Sequence, residues 1–119
     1  MNEKSVLRAK SFAFALKIIE VCRYLKDSKK EYVLYRQLIR SGTVIGALIR
    51  EAEYAQSKAD FISKLSIALK EANETAYWLE LLVACESLER TTSQHVINLL
   101  TEVIKMLTAS INTLKKPCK

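Results

Sequence analysis

A chain of 119 residues, half of them apolar, is long enough for one domain with its own core, and two Gly and one Pro supply too little turn chemistry for a strand-rich fold. The formal net charge of +6 allows binding to nucleic acid or to acidic protein, while no stretch approaches the ~18 uncharged apolar residues of a membrane span. The expectation is an all-α single domain over residues 1–119, with no membrane contact.

The first predicted helix runs roughly from Lys4 to Lys26, with Leu7, Phe14, Ile18, Val21 and Leu25 on one face. Phe12, Leu16 and Ile19 form a second apolar stripe on its other side. The segment "KDSKKE" (26–31) breaks the helix.

The second helix extends from about Tyr32 to Tyr54. Nine of its apolar residues (Leu34, Tyr35, Leu38, Ile39, Val44, Ile45, Leu48, Ile49 and Ala52) cover roughly 220° of the circumference, whereas one buried face needs a little over ~100°. Its two glycines, Gly42 and Gly46, lie four apart on one face and mark a place where another backbone approaches closely, since each costs ~1 kcal/mol of helix propensity against Ala.

Ser57 followed by Asp60 resembles a capping box opening the third helix, which continues to about Leu88. One side carries Phe61, Leu65, Ala72, Ala76, Leu79 and Val83; a second stripe of Ile67, Trp78, Leu82 and Cys85 is displaced by about 100°. The segment "ERTTSQ" (89–94) reads as a turn with Thr or Ser caps. The fourth helix then places Val96, Leu100, Val103, Leu107, Ile111 and Leu114 on a single stripe, and "KKPCK" closes the chain as a tail. Short links favour antiparallel neighbours, hence an up-down-up-down four-helix bundle.

Stripes this wide leave apolar surface over, and contiguous apolar patches mark interfaces. Self-association through Phe12, Leu16, Ile19, Val44, Leu48, Ile67, Trp78 and Leu82 is the expectation; the alternative is four splayed helices that bury both arcs internally.

The third helix also carries the paired carboxylates Glu71 and Glu74. A di-metal bundle needs inward Glu-x-x-His pairs, and the one histidine, His95, belongs to no such pair. No Ser/His/Asp set, phosphate-cradling Gly loop or Cys/His cluster can be assembled, so neither an enzyme nor a bound cofactor or metal is expected. Glu71 projects between Trp78 and Leu82, where an ionised carboxylate requires a partner. Arg36, Arg40 and Arg50, within roughly 80° of one another on the second helix, are the candidates for an ion pair in the core or at an interface. Glu74 is read equally well as a solvated edge.

Cys22, Cys85 and Cys118 are an odd number at wide spacing, which fits neither a disulfide framework nor a C-x-x-C metal site. The first ten residues are too polar for a signal peptide, and a cytoplasmic location is expected.

Two segments, "KSFAFALKII" (10–19) and "RQLIRSGTVIGALIREAEYAQSKADFISKLSIALKEANETAYWLELL" (36–82), resemble the four-helix bundle proteins encoded by intervening sequences of bacterial 23S (large-subunit) ribosomal RNA genes. The resemblance covers most of the chain and is weakest after Leu82. It implies a ring-like homopentamer and a fold shared with the accessory proteins of diversity-generating retroelements, thought to bind nucleic acid and a reverse transcriptase through a basic barrel surface. The family pattern usually has Asn where Leu48 stands and a small residue in place of Arg50, and it supplies no reaction.

Charge placement completes the reading. Residues 1–30 hold eight Lys/Arg against three acids and residues 91–119 hold four against one, so Lys4, Arg8, Lys10, Lys115 and Lys116 are the candidate phosphate contacts. The functional expectation is a non-enzymatic homo-oligomer with an accessory role in weak, sequence-independent RNA or DNA binding. The alternative is a scaffold that holds a protein partner and touches no nucleic acid.

Overall fold

The computed structural model describes residues 3–115, so Lys116 and Cys118 lie outside the described residues. Four α-helices follow in order: α1 (Glu3–Asp27), α2 (Leu34–Ala52), α3 (Lys58–Ala84) and α4 (Arg90–Lys115). No strand occurs among the described residues. The long axis is 53 Å and the cross-section 24 by 22 Å, which is two helix diameters each way. Each helix packs on two neighbours, α1 and α3 both lying against α2 and α4.

Along α1–α2 and α2–α3 the pairings run in opposed numerical order. Gly42 lies against Ile18 and Gly46 against Ser11; Arg40 reaches Glu71 while Glu51 meets Lys64; Lys10 meets Glu102. At Gly42 a Cβ would stand 2.9 Å from Ile18 Cγ2, so the close approach of α1 requires glycine there. The crowding atom belongs to a side chain rather than to a neighbouring backbone. Gly46 is under no such pressure, its nearest neighbour being Ser11 Oγ at 3.6 Å.

The core faces of α1 and α4 match the predicted stripes. Leu7, Phe14, Ile18, Val21 and Leu25 are buried, as are Val96, Leu100, Val103, Leu107 and Ile111. The broad arc of α2 has a different explanation from the one its width suggests. Leu38, Ile45, Leu48, Ile49 and Ala52 are buried, and Leu34, Tyr35, Ile39 and Val44 pack against the core as partly buried residues. With α1 on one flank and α3 on the other, both arcs of α2 are covered within one chain.

Helix ends differ from expectation in two places. Residues 85–89 form the link after α3, and α4 already begins at Arg90, so "RTTSQ" is helix rather than turn. The turn is made instead by Glu86 at φ 64°, with Ser87 N–H donating to Leu82 O (2.9 Å) and Glu86 N–H to Val83 O (3.0 Å). That is a Schellman closure with a non-glycine residue in its left-handed position. At the start of α3, Asp60 N–H donates to Ser57 Oγ (3.0 Å), as the capping box requires. The reciprocal bond is displaced by one residue, the Asp60 carboxylate accepting from Gln56 N–H at 3.2 Å. Glu31 caps α2 in a way its sequence did not announce, Oε1 accepting from Val33 N–H (3.2 Å) and Leu34 N–H (3.1 Å).

Candidate functional site

Three surface features carry the residues singled out from the sequence. The first is a polar seam between α2 and α3. Arg40 Nη1 donates to both oxygens of Glu71 at 3.2 Å, and its Nη2 donates to Glu74 Oε2. Trp78 Nε1 donates to the same Glu74 oxygen at 3.2 Å. Beneath this layer, Thr75 Oγ1 shares its hydrogen between Ser41 Oγ (2.9 Å) and Glu71 O (2.8 Å), and both hydroxyl residues are buried. Hydrogen bonding to Glu71, followed by the nearby carboxylate charges, raises the Arg40 pKa, so the guanidinium stays charged at any accessible pH.

Glu71 therefore has the arginine partner that its position demanded, and the pair forms inside one chain. Of the three candidate arginines only Arg40 supplies it. Arg50 lies over the Phe12 ring instead, 5.5 Å from its centroid, and Arg36 is exposed and makes no salt bridge among the described residues. Glu74 is drawn into the same cluster rather than standing as a solvated edge. The spacing 71, 74, 78 puts the two carboxylates and the indole on one side of α3, and that periodicity was the available signal.

The second feature is apolar. Phe12 and Leu16, one turn apart on α1, are 53% and 55% exposed, and Ile19 next to them is half-buried. On α3, Ile67 is 42% exposed and Trp78 half-buried. Leu82 is fully buried and Leu48 nearly so, which assigns both to the core of the single chain and removes them from any outer face. Val44 is largely covered by its own bundle as well.

The third feature is the set of predicted phosphate contacts. Lys4 sits 5.2 Å from the centroid of the Phe61 ring and lines a groove with Leu114 and Thr113, so the start of α1 and the end of α4 share one end of the bundle with Lys115. Arg8 and Lys10 are committed elsewhere. Arg8 Nε lies 3.8 Å from Glu53 and Lys10 Nζ 2.9 Å from Glu102. Lys116 is outside the described residues.

His95 is exposed on α4. Among the described residues, no group of three or more His, Cys, Asp or Glu side chains is placed to hold a metal ion, and no helix is long and apolar enough to cross a membrane.

Against this geometry stand the comparisons with known proteins. The family model described as 23S rRNA-intervening sequence protein matches residues 3–109. The chain belongs to that family. A 1.70 Å crystal structure of a protein with unknown function from the S23 ribosomal protein family of Bacteroides thetaiotaomicron VPI-5482 is similar at 50% identity, with a TM-score of 0.92, covering 93% of this chain and 99% of that one. No curated protein matches the chain. The match to the intervening-sequence family spans the α2–α3 seam and the Phe12–Leu16 strip alike, but not Lys115.

Proposed function

We propose that this family member is a non-enzymatic, homo-oligomeric up-down-up-down bundle that serves as an accessory protein making weak, sequence-independent contacts with RNA or DNA. The exposed Phe12–Leu16 pair carries the reading: two large apolar side chains more than half open to water on a regular helix are best accounted for by a second copy that covers them. Ile67 extends the apolar surface on α3. The family resemblance favours five copies. In such an assembly the +6 of each chain is multiplied, and that favours polyanions as partners.

Light scattering coupled to gel filtration tests the assembly. The wild type should run as an oligomer at micromolar concentration, and Leu16→Glu should dissociate it because an unpaired charge would be buried at the contact. A stable wild-type monomer would overturn the reading. Binding of labelled RNA or duplex DNA should fall by more than tenfold between about 50 and 200 mM salt if several phosphates are contacted.

A second reading, a scaffold for a protein partner without nucleic-acid contact, is favoured by one observation. Arg8 and Lys10 are already paired with Glu53 and Glu102, which leaves fewer free cations where the sequence concentrates them. No shift of either nucleic acid at low salt selects it.

A further inference from the structure

The end of the bundle opposite Lys4 carries a second group of cations. Arg23, Lys26, Lys29 and Lys30 are all exposed on the last turns of α1 and the link to α2, and none makes a salt bridge among the described residues, although Lys26 lies over the Tyr35 ring, 5.9 Å from its centroid. Two acids lie in the same stretch. Glu31 spends its carboxylate on the backbone N–H groups of Val33 and Leu34, leaving Asp27 as the one solvated acid between residues 23 and 33. Tyrosines interleave with these cations: Tyr24 is 39% and Tyr32 47% exposed.

Beside Tyr24 the links α1–α2 and α3–α4 enclose a crevice of about 390 Å³. Buried Leu88 and half-buried Val83 line it together with the exposed Tyr24, Lys29 and Arg90. Glu86 and Glu89 also line it, which disfavours a phosphate inside but suits the exocyclic amine of a base. Both links hold a non-glycine residue in the left-handed region, Lys30 at φ 57° and Glu86 at φ 64°.

We propose that this crevice receives a base of a single-stranded nucleic acid, stacked on Tyr24, while the flanking phosphates run over Lys29 and Lys30. An aromatic face set in a basic strip suits single strands, because an unpaired base offers its π-face and a duplex does not. The inference rests on the nucleic-acid reading above and moves its site from the Lys4 and Lys115 end to the opposite one.

The test is fluorescence anisotropy of a labelled single strand of about ten nucleotides and of the matching duplex, at low salt. Wild-type protein should bind the single strand more tightly than the duplex. Lys29→Gln with Lys30→Gln should weaken single-strand binding about tenfold or more, and Tyr24→Ala should do so at least fivefold, with unchanged far-UV circular dichroism. Lys4→Gln with Lys115→Gln should change affinity less than twofold. The reverse pattern, in which only the Lys4 and Lys115 variant loses binding, overturns this site and leaves the proposed function standing. Equal affinity for single strand and duplex, or single-strand affinity unaltered by Tyr24→Ala, also overturns it. Absence of any binding by the wild type overturns both.

Discussion

Arg40 on α2 spans both carboxylate oxygens of Glu71 on α3, Nη1 lying 3.2 Å from each. The Arg40 side chain is 49% exposed and that of Glu71 19%, so water screens the pair in part. A double-mutant cycle with Arg40→Ala and Glu71→Ala should therefore return a coupling of about 0.5–1 kcal/mol, with some of it lost at high salt. Urea unfolding followed by the fluorescence of Trp78 measures it. A coupling near zero would make the contact an ornament of the surface.

The two α2 glycines should respond in opposite directions to the same substitution. Gly42→Ala drives a Cβ against Ile18, a fully buried, β-branched residue with little room to turn, and should cost about 1–2 kcal/mol net of its gain in helix propensity. Gly46→Ala meets only ordinary contacts and should stabilise by up to about 1 kcal/mol. Thermal melts of the two variants beside wild type decide the matter, and equal shifts would mean that α1 and α2 are free to separate at Gly42.

Burial pushes the Cys22 thiol up from 9.0 to about 12, and its Sγ donates to Tyr35 O at 3.6 Å. The unfolded chain ionises this thiol near 9 while the folded chain holds the proton to about 12, so the unfolded state binds fewer protons in between and stability falls as pH rises through that window. Cys22→Ala should flatten the fall measured by urea titration between pH 8.5 and about 10.5. In a Cys118→Ser background, a thiol reagent should label the exposed Cys85 promptly and Cys22 only on unfolding. Fast labelling of both would contradict the packing of α1 on α2.

Glu86 occupies a left-handed position that glycine fills more readily. Glu86→Gly should raise stability by up to about 1 kcal/mol, after the larger backbone entropy of the unfolded glycine is subtracted. If melting instead falls, the Glu86 side chain makes a contribution that offsets its backbone strain.

The positions of the helices were largely legible because the apolar period is clear. Phe14 and Ile18 on α1, or Leu100 and Leu107 on α4, recur at helical spacing and are buried. Legibility failed where one residue has two plausible neighbours. Leu48 and Leu82 lie off the main stripes, and a circumference plot cannot say whether another helix of the same chain or another chain covers them. Here the same chain does. The link before α4 was misplaced because "TTS" favours caps by propensity, whereas the turn was closed by the αL geometry of Glu86, which glutamate does not advertise. For the seam, the need of Glu71 for an arginine was readable from desolvation. The choice of Arg40 over Arg36 and Arg50 depended on the rotation of α2 against α3, which no local pattern fixes.

Lys4 and Leu114 line one groove, so the first turn of α1 and the last of α4 stand side by side. A few linking residues could join them, and a fresh opening in the link that holds the 85% exposed Tyr54 would give the order α3, α4, α1, α2 with every interhelical face retained. The architecture is thus a closed circuit of four faces, indifferent in principle to where the polypeptide is cut.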